Sequence, residues 1–178
     1  MKKYLLFCST NEDKSCKYFK STFKYFNKEF FQNAAQSQKD VRVKASIAIA
    51  PGFVESMTNE SLNQIRIPIL IIGAELDENV PPNTHFKPKF EMFSKSIKYQ
   101  EISNATHFSF MQICRPKAIK ILAEENEEFV CIDGGKKSRQ ELHDEIYNMI
   151  ERFIRSQNIT STSTRTNYSL SNNPTNEK

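Results

Sequence analysis

No apolar run in these 178 residues approaches the roughly 18 residues that a membrane span needs, so no span is expected and the chain reads as soluble unless something else anchors it. The start, MKKYLLFCST, is basic, but its apolar YLLF is far shorter than the roughly 7 to 15 residues of a secretory signal core. It reads as helix, which favours the cytoplasm. No CxxC pair occurs among the four cysteines, Cys8, Cys16, Cys114 and Cys131, which removes the usual zinc and thioredoxin readings. Two local pairs, Cys8 with Cys16 and Cys114 with Cys131, would suit an oxidising, extracytoplasmic compartment, and four reduced buried thiols remain equally open. Charge of one sign is scarce too: the net is +4 with 26% charged residues, too mild for an obligate nucleic-acid partner and without any accompanying motif. Three scattered histidines make no metal site, and no cofactor is expected.

What is present is globular in composition, with 38% hydrophobic and 11% aromatic residues, and long enough for one domain with a sizeable core. Between Tyr18 and Phe31 the aromatics Phe19, Phe23, Phe26 and Phe30 recur at helical spacing, with Lys17, Lys20, Lys24 and Lys28 interleaved. This predicts one amphipathic basic helix, lying on a core, closing over an apolar site, or facing a membrane surface or partner. Strands are expected over Val43 to Ala50, Ile67 to Gly73 and Ile97 to Ile102. A helical segment starting near Pro88 separates the last two, and strand, helix, strand order implies a parallel sheet. Helices follow over Pro116 to Phe129 and Ser138 to Arg155, the second opened by a Ser138 and Glu141 capping box. The polar tail 156–178 is expected to be disordered, leaving 1–155 as the folded portion with 1–40 as a helical, cap-like segment.

Two residues stand just past the carboxyl ends of predicted strands, where open α/β sheets keep their ligand sites. Asp77 follows IPILIIG after a short turn, and His107 follows IKYQEI after SNAT. A carboxylate and a histidine at one sheet edge, in that chain order, suit the acid and base of a nucleophilic hydrolase: the carboxylate fixes one imidazole tautomer and stabilises its protonated form. Taken singly, each has a plainer reading. Asp77 would be a turn aspartate bonding its own backbone, and His107 a histidine packed beside Phe108 and Phe110. Of the other histidines, His85 reads as surface and His143 as a helix residue bridging to nearby carboxylates.

IRIPILIIGAELDENVPP followed by IKYQEISNATHFSFM resembles the carboxyl-terminal part of α/β-hydrolases, specifically the dienelactone-hydrolase-like and platelet-activating-factor-acetylhydrolase-like group. VRVKASIAIAPGF looks like the preceding core strand, and HFSFMQICRP, FVCIDG and ELHDEIYNMIERFI look like the closing segment. YLLFCSTNEDKSC resembles a cysteine-bearing excursion found after the nucleophile helix in some members. The resemblance implies a partial α/β-hydrolase fold of about three parallel strands with flanking helices. It also implies a serine esterase or lactone hydrolase with Asp77 as triad acid and His107 as base.

Against that pattern, the four glycines, Gly52, Gly73, Gly134 and Gly135, form no GxSxG elbow. None of Ser9, Ser46, Ser56, Ser103 and Ser109 is placed on a sharp strand-to-helix turn. The expectation is a truncated hydrolase with acid and base but no nucleophile, inactive alone. A small ester or lactone substrate would be processed only when a second chain supplies the amino-terminal half. The rival expectation is a non-catalytic binding or scaffold remnant that uses its aromatic helix and open sheet edge.

Overall fold

The computed structural model describes residues 6, 8–10, 16–17, 20–36, 39–93 and 95–157. The expected polar tail beyond Gln157, and Tyr18 and Phe19 of the basic helix, lie outside them. Three strands, β1 (Ser46–Ile49), β2 (Ile69–Ala74) and β3 (Ile97–Ile102), form a parallel sheet in the order β1-β2-β3. Ser46 stands opposite Ile69, and Ile69 opposite Ile97. The fold class is α/β, as the sequence implies, with helices α1 (Lys28–Ala34), α2 (Asn59–Asn63), α3 (Pro82–His85), α4 (Pro116–Glu124) and α5 (Arg139–Ser156), of which α5 packs on the sheet while α1 buries no residue.

The centre of the sheet is β2, apolar toward both faces as a covered parallel strand must be. Leu70, Ile72 and Ala74 face α5, meeting Leu142, Ile146, Met149 and Phe153, with Ile102 and Ala105 beside them. On the opposite face Ile71 packs with Val54, Leu62, Phe86 and Ile97. The helical register of α5 supplies its half of this core, and its start is set chemically. Ser138 Oγ accepts from the Glu141 N–H at 3.3 Å while Glu141 Oε2 accepts from the Ser138 N–H at 2.7 Å, the expected capping box.

Several boundaries differ from the sequence expectation. Pro68, lacking an N–H, keeps β2 from starting at Ile67, and the β1 ladder begins where Ser46 N–H reaches the Pro68 carbonyl at 3.0 Å, leaving Val41 and Val43 exposed. The single basic helix is two pieces, a 3-10 helix Lys20–Tyr25 and α1, divided at Asn27. That asparagine is extended and its Oδ1 caps the Phe30 N–H at 2.8 Å, restarting the helix. Helix α3 begins at Pro82, six positions ahead of Pro88, because a proline suits the first helical position, and a 3-10 turn Lys87–Met92 carries the chain through Pro88. Helix α4 stops at Glu124 rather than Phe129, where Asn126 takes a left-handed φ of 58°.

Candidate active site

The loops after β2 and β3 are zipped together beyond the strands. Glu75 N–H donates to the Ile102 carbonyl at 3.1 Å and Leu76 N–H to that of Ala105 at 2.9 Å; the Glu75 carboxylate in turn accepts from the Asn104 N–H at 2.8 Å. These bonds bring the next residues, Asp77 and the Thr106–Phe110 turn, side by side. Asp77 Oδ2 lies 2.8 Å from Nδ1 of His107. Its other oxygen, Oδ1, accepts from the N–H groups of Asn79 at 2.9 Å and Val80 at 2.7 Å. The plain reading of Asp77 as a turn aspartate and its pairing with His107 are therefore compatible, one oxygen serving each.

Burial of Asp77, whose side chain is 1% exposed, by itself pushes the carboxyl upward and is the largest influence. The hydrogen bond and charge of His107 and the two backbone N–H groups outweigh it, and the net displacement is downward. Asp77 is thus held as a carboxylate. A carboxylate on Nδ1 selects the tautomer with its proton there, leaving Nε2 as the acceptor. Among the described residues the imidazole has no hydrogen-bond partner besides Asp77, and its side chain is 29% exposed. Phe108 stands edge-on to the His107 ring, with Phe129 against Phe108.

None of the candidate serines bonds to His107. Ser9 and Ser56 donate to the carbonyls of Leu6 and Phe53, Ser103 accepts from Lys137, and Ser46 opens β1. Ser109 is fully buried and donates to Asp133 at 2.5 Å. An open groove of about 550 Å³ lies beside the His107 turn, lined by Met111, Ile113, Arg115, Ile121 and Val130, and neither Asp77 nor His107 lines it.

Two histidine expectations are corrected. His85 is fully buried rather than on the surface, because α3 starts early and turns it under the loop after β1. There its Nδ1 is 3.3 Å from Oε2 of Glu55, a buried carboxylate whose oxygens make no hydrogen bond among the described residues. His143 bridges to no carboxylate among the described residues; its Nε2 lies 3.0 Å from the Ser109 carbonyl, since its face of α5 turns toward the His107 turn. Asp133 and Arg139 were not singled out by sequence, although IDGG next to a helix start was the available signal. Both cysteine pairs, Cys8 with Cys16 and Cys114 with Cys131, are disulfide-bonded.

No protein-family model matches the chain. It is similar to cutinase 2 of Thermobifida cellulosilytica, 38% identical over 69 residues, which is 38% of this chain and 25% of that protein. A cutinase of Thermobifida fusca matches at the same identity over 69 residues, 20% of its length. The similarity therefore spans a quarter or less of these curated relatives. A solved α/β serine hydrolase homologue from Coxiella burnetii shares 26% identity over 52% of this chain and 38% of that one, with a TM-score of 0.33, an overlap too slight to speak for the fold. The architecture is α/β, a helix-flanked parallel sheet, and the local identity is with cutinases.

Proposed function

We propose that this chain supplies the acid and the base of an ester-hydrolysing site whose nucleophile and oxyanion hole come from polypeptide outside these residues. The observation that carries the reading is the 2.8 Å contact between Asp77 Oδ2 and His107 Nδ1 at the carboxyl edge of the parallel sheet, with Nε2 turned to no partner among the described residues. The local identity with cutinases supports the ester class. The finer placement, near dienelactone-hydrolase-like and platelet-activating-factor-acetylhydrolase-like enzymes, rests on the resemblance of the Asp77 and His107 segments.

In such a site Nε2 takes the proton of an attacking hydroxyl as that oxygen adds to the ester carbonyl, and returns it to the leaving alcohol. Asp77 stabilises the imidazolium formed between the two transfers. Without a nucleophile, acid and base have nothing to activate. Purified chain incubated with p-nitrophenyl acetate and a fluorophosphonate probe is expected to show neither turnover nor labelling. Mixing or fusing it with an α/β segment that ends in a GxSxG elbow should restore hydrolysis, lost again in His107→Ala. Strong labelling of the chain alone, dependent on His107, would overturn the missing nucleophile. The edge of β1 that no strand pairs among the described residues favours a second reading, a binding remnant; its docking would persist in His107→Ala.

A further inference from the structure

The turn carrying His107 is gripped from below by a segment outside the two strands that bring it to the sheet edge. Ser109, two residues on, is fully buried; its hydroxyl accepts from the Thr106 N–H at 2.8 Å and donates to Asp133 Oδ1 at 2.5 Å. Thr106 Oγ1 donates to the Ile132 carbonyl at 3.1 Å. Asp133 is clasped by Arg139, with Nε 3.2 Å from each carboxylate oxygen and Nη2 3.1 Å from Oδ1. From the same helix His143 Nε2 meets the Ser109 carbonyl. Gly134 closes the grip: its N–H donates to the Asn104 carbonyl at 2.9 Å, and a Cβ there would stand 2.5 Å from that oxygen.

Arg139 is 6% exposed and Asp133 12%. A buried ion pair is often no more stabilising than apolar side chains of the same volume, so stability alone does not account for this one. The pair and the segment beside it hold the stretch around His107 at three points: Asp133 takes the Ser109 hydroxyl, Arg139 Nη1 donates to the Gln112 carbonyl at 3.5 Å, and the Gly134 N–H holds the Asn104 carbonyl. A displacement of about 1 Å at a catalytic group can cost on the order of a hundredfold in rate.

We propose that Asp133 is a positioning residue for His107: braced by Arg139 and acting through the Ser109 hydroxyl, it fixes the turn so that Nδ1 of His107 stays on Asp77. This rests on the reading of His107 as the base. Asp133 touches no reacting atom; it sets where the imidazole points.

The test uses the full chain with 15N-labelled histidine and an imidazole 15N–1H correlation recorded on the neutral form, which reports the nitrogen bearing the proton. The wild type is expected to show His107 protonated at Nδ1, a pattern lost in Asp77→Asn. In Asp133→Asn and Ser109→Ala the His107 signals should become a mixture of tautomers while the backbone amide spectrum away from the turn is retained. Ser109→Ala leaves the Asp133 and Arg139 pair in place, so it decides the matter if Asp133→Asn fails to fold. Glu145→Gln, which breaks a different pairing on α5, with Lys137 at 2.6 Å, should leave His107 unchanged. A wild-type tautomer pattern in folded Ser109→Ala would overturn this proposal alone. Absence of a protonated Nδ1 in the wild type, or indifference to Asp77→Asn, would overturn the acid and base reading and this proposal with it.

Discussion

Asp77 holds three donors on two oxygens, and its acid response follows from them. Its folded-state pKa is depressed, so its contribution to stability is complete above the unfolded carboxylate value of about 3.9 and is lost as pH falls through the lower folded value. Asp77→Asn should therefore destabilise the chain near neutrality by about 2 kcal/mol, the scale of hydrogen bonds to a charged group. That difference should shrink as urea midpoints are measured from pH 6 down to pH 2; a gap independent of pH would show that charge is not what holds the loop. At this scale Asp77 and His107 were legible because each lies a short turn past the end of a strand, β2 ending at Ala74 and β3 at Ile102, so chain position gives spatial position. Asp133, Ser109 and Arg139 were not, because their meeting depends on how the 132–134 segment crosses under the His107 turn, a long-range contact with no period in sequence. His85 misled for a related reason: a polar residue between prolines reads as loop, and only the early start of α3 turns it inward.

At the scale of elements, α5 carries one face of the core and its start has its own chemistry. Ser138→Ala removes the cap and should cost about 1 kcal/mol. Leu142→Ala, at a fully buried site against β2, should cost about 2 to 5 kcal/mol; both are read from urea unfolding, and a smaller loss for Leu142 than for Ser138 would contradict the packing described. Helix α5 was legible because its apolar period, Leu142, Ile146, Met149 and Phe153, runs unbroken through it. Boundaries failed where one residue overrode the period: Pro68 withheld an N–H from β2, and Asn27 capped a second helix in the middle of an aromatic stripe whose spacing continues across the break. Gly134→Ala should distort the turn that holds His107, since the added carbon meets backbone oxygen rather than a side chain able to yield.

On the scale of the whole molecule, both disulfides are local, closing spans of 8 and 17 residues. The second ties the start of α4 to the segment leading into Asp133, so reduction should loosen the grip on the His107 turn as well as the fold. A Cys114→Ser, Cys131→Ser double variant is expected to lose about 3 kcal/mol by the loop-closure relation, measured against wild type with and without reductant; an unchanged midpoint would mean that the link stabilises nothing. Fold class was legible at this scale from the alternation of strands and helices, and so were the cysteine partners, whereas their oxidation state was not, because spacing alone permits both the oxidised and the reduced reading. The sheet itself ends openly on both sides, with β1 and β3 each paired on one edge among the described residues. Symmetry constrains what two copies can do with those edges. A two-fold axis sets β1 against β1 running in opposite directions, breaking the parallel order, whereas a parallel join places β3 of one copy on β1 of the next and leaves the same two edges exposed at the ends. Parallel self-pairing of this sheet is thus head-to-tail, an open run of copies unless the rotation from one to the next closes it into a ring.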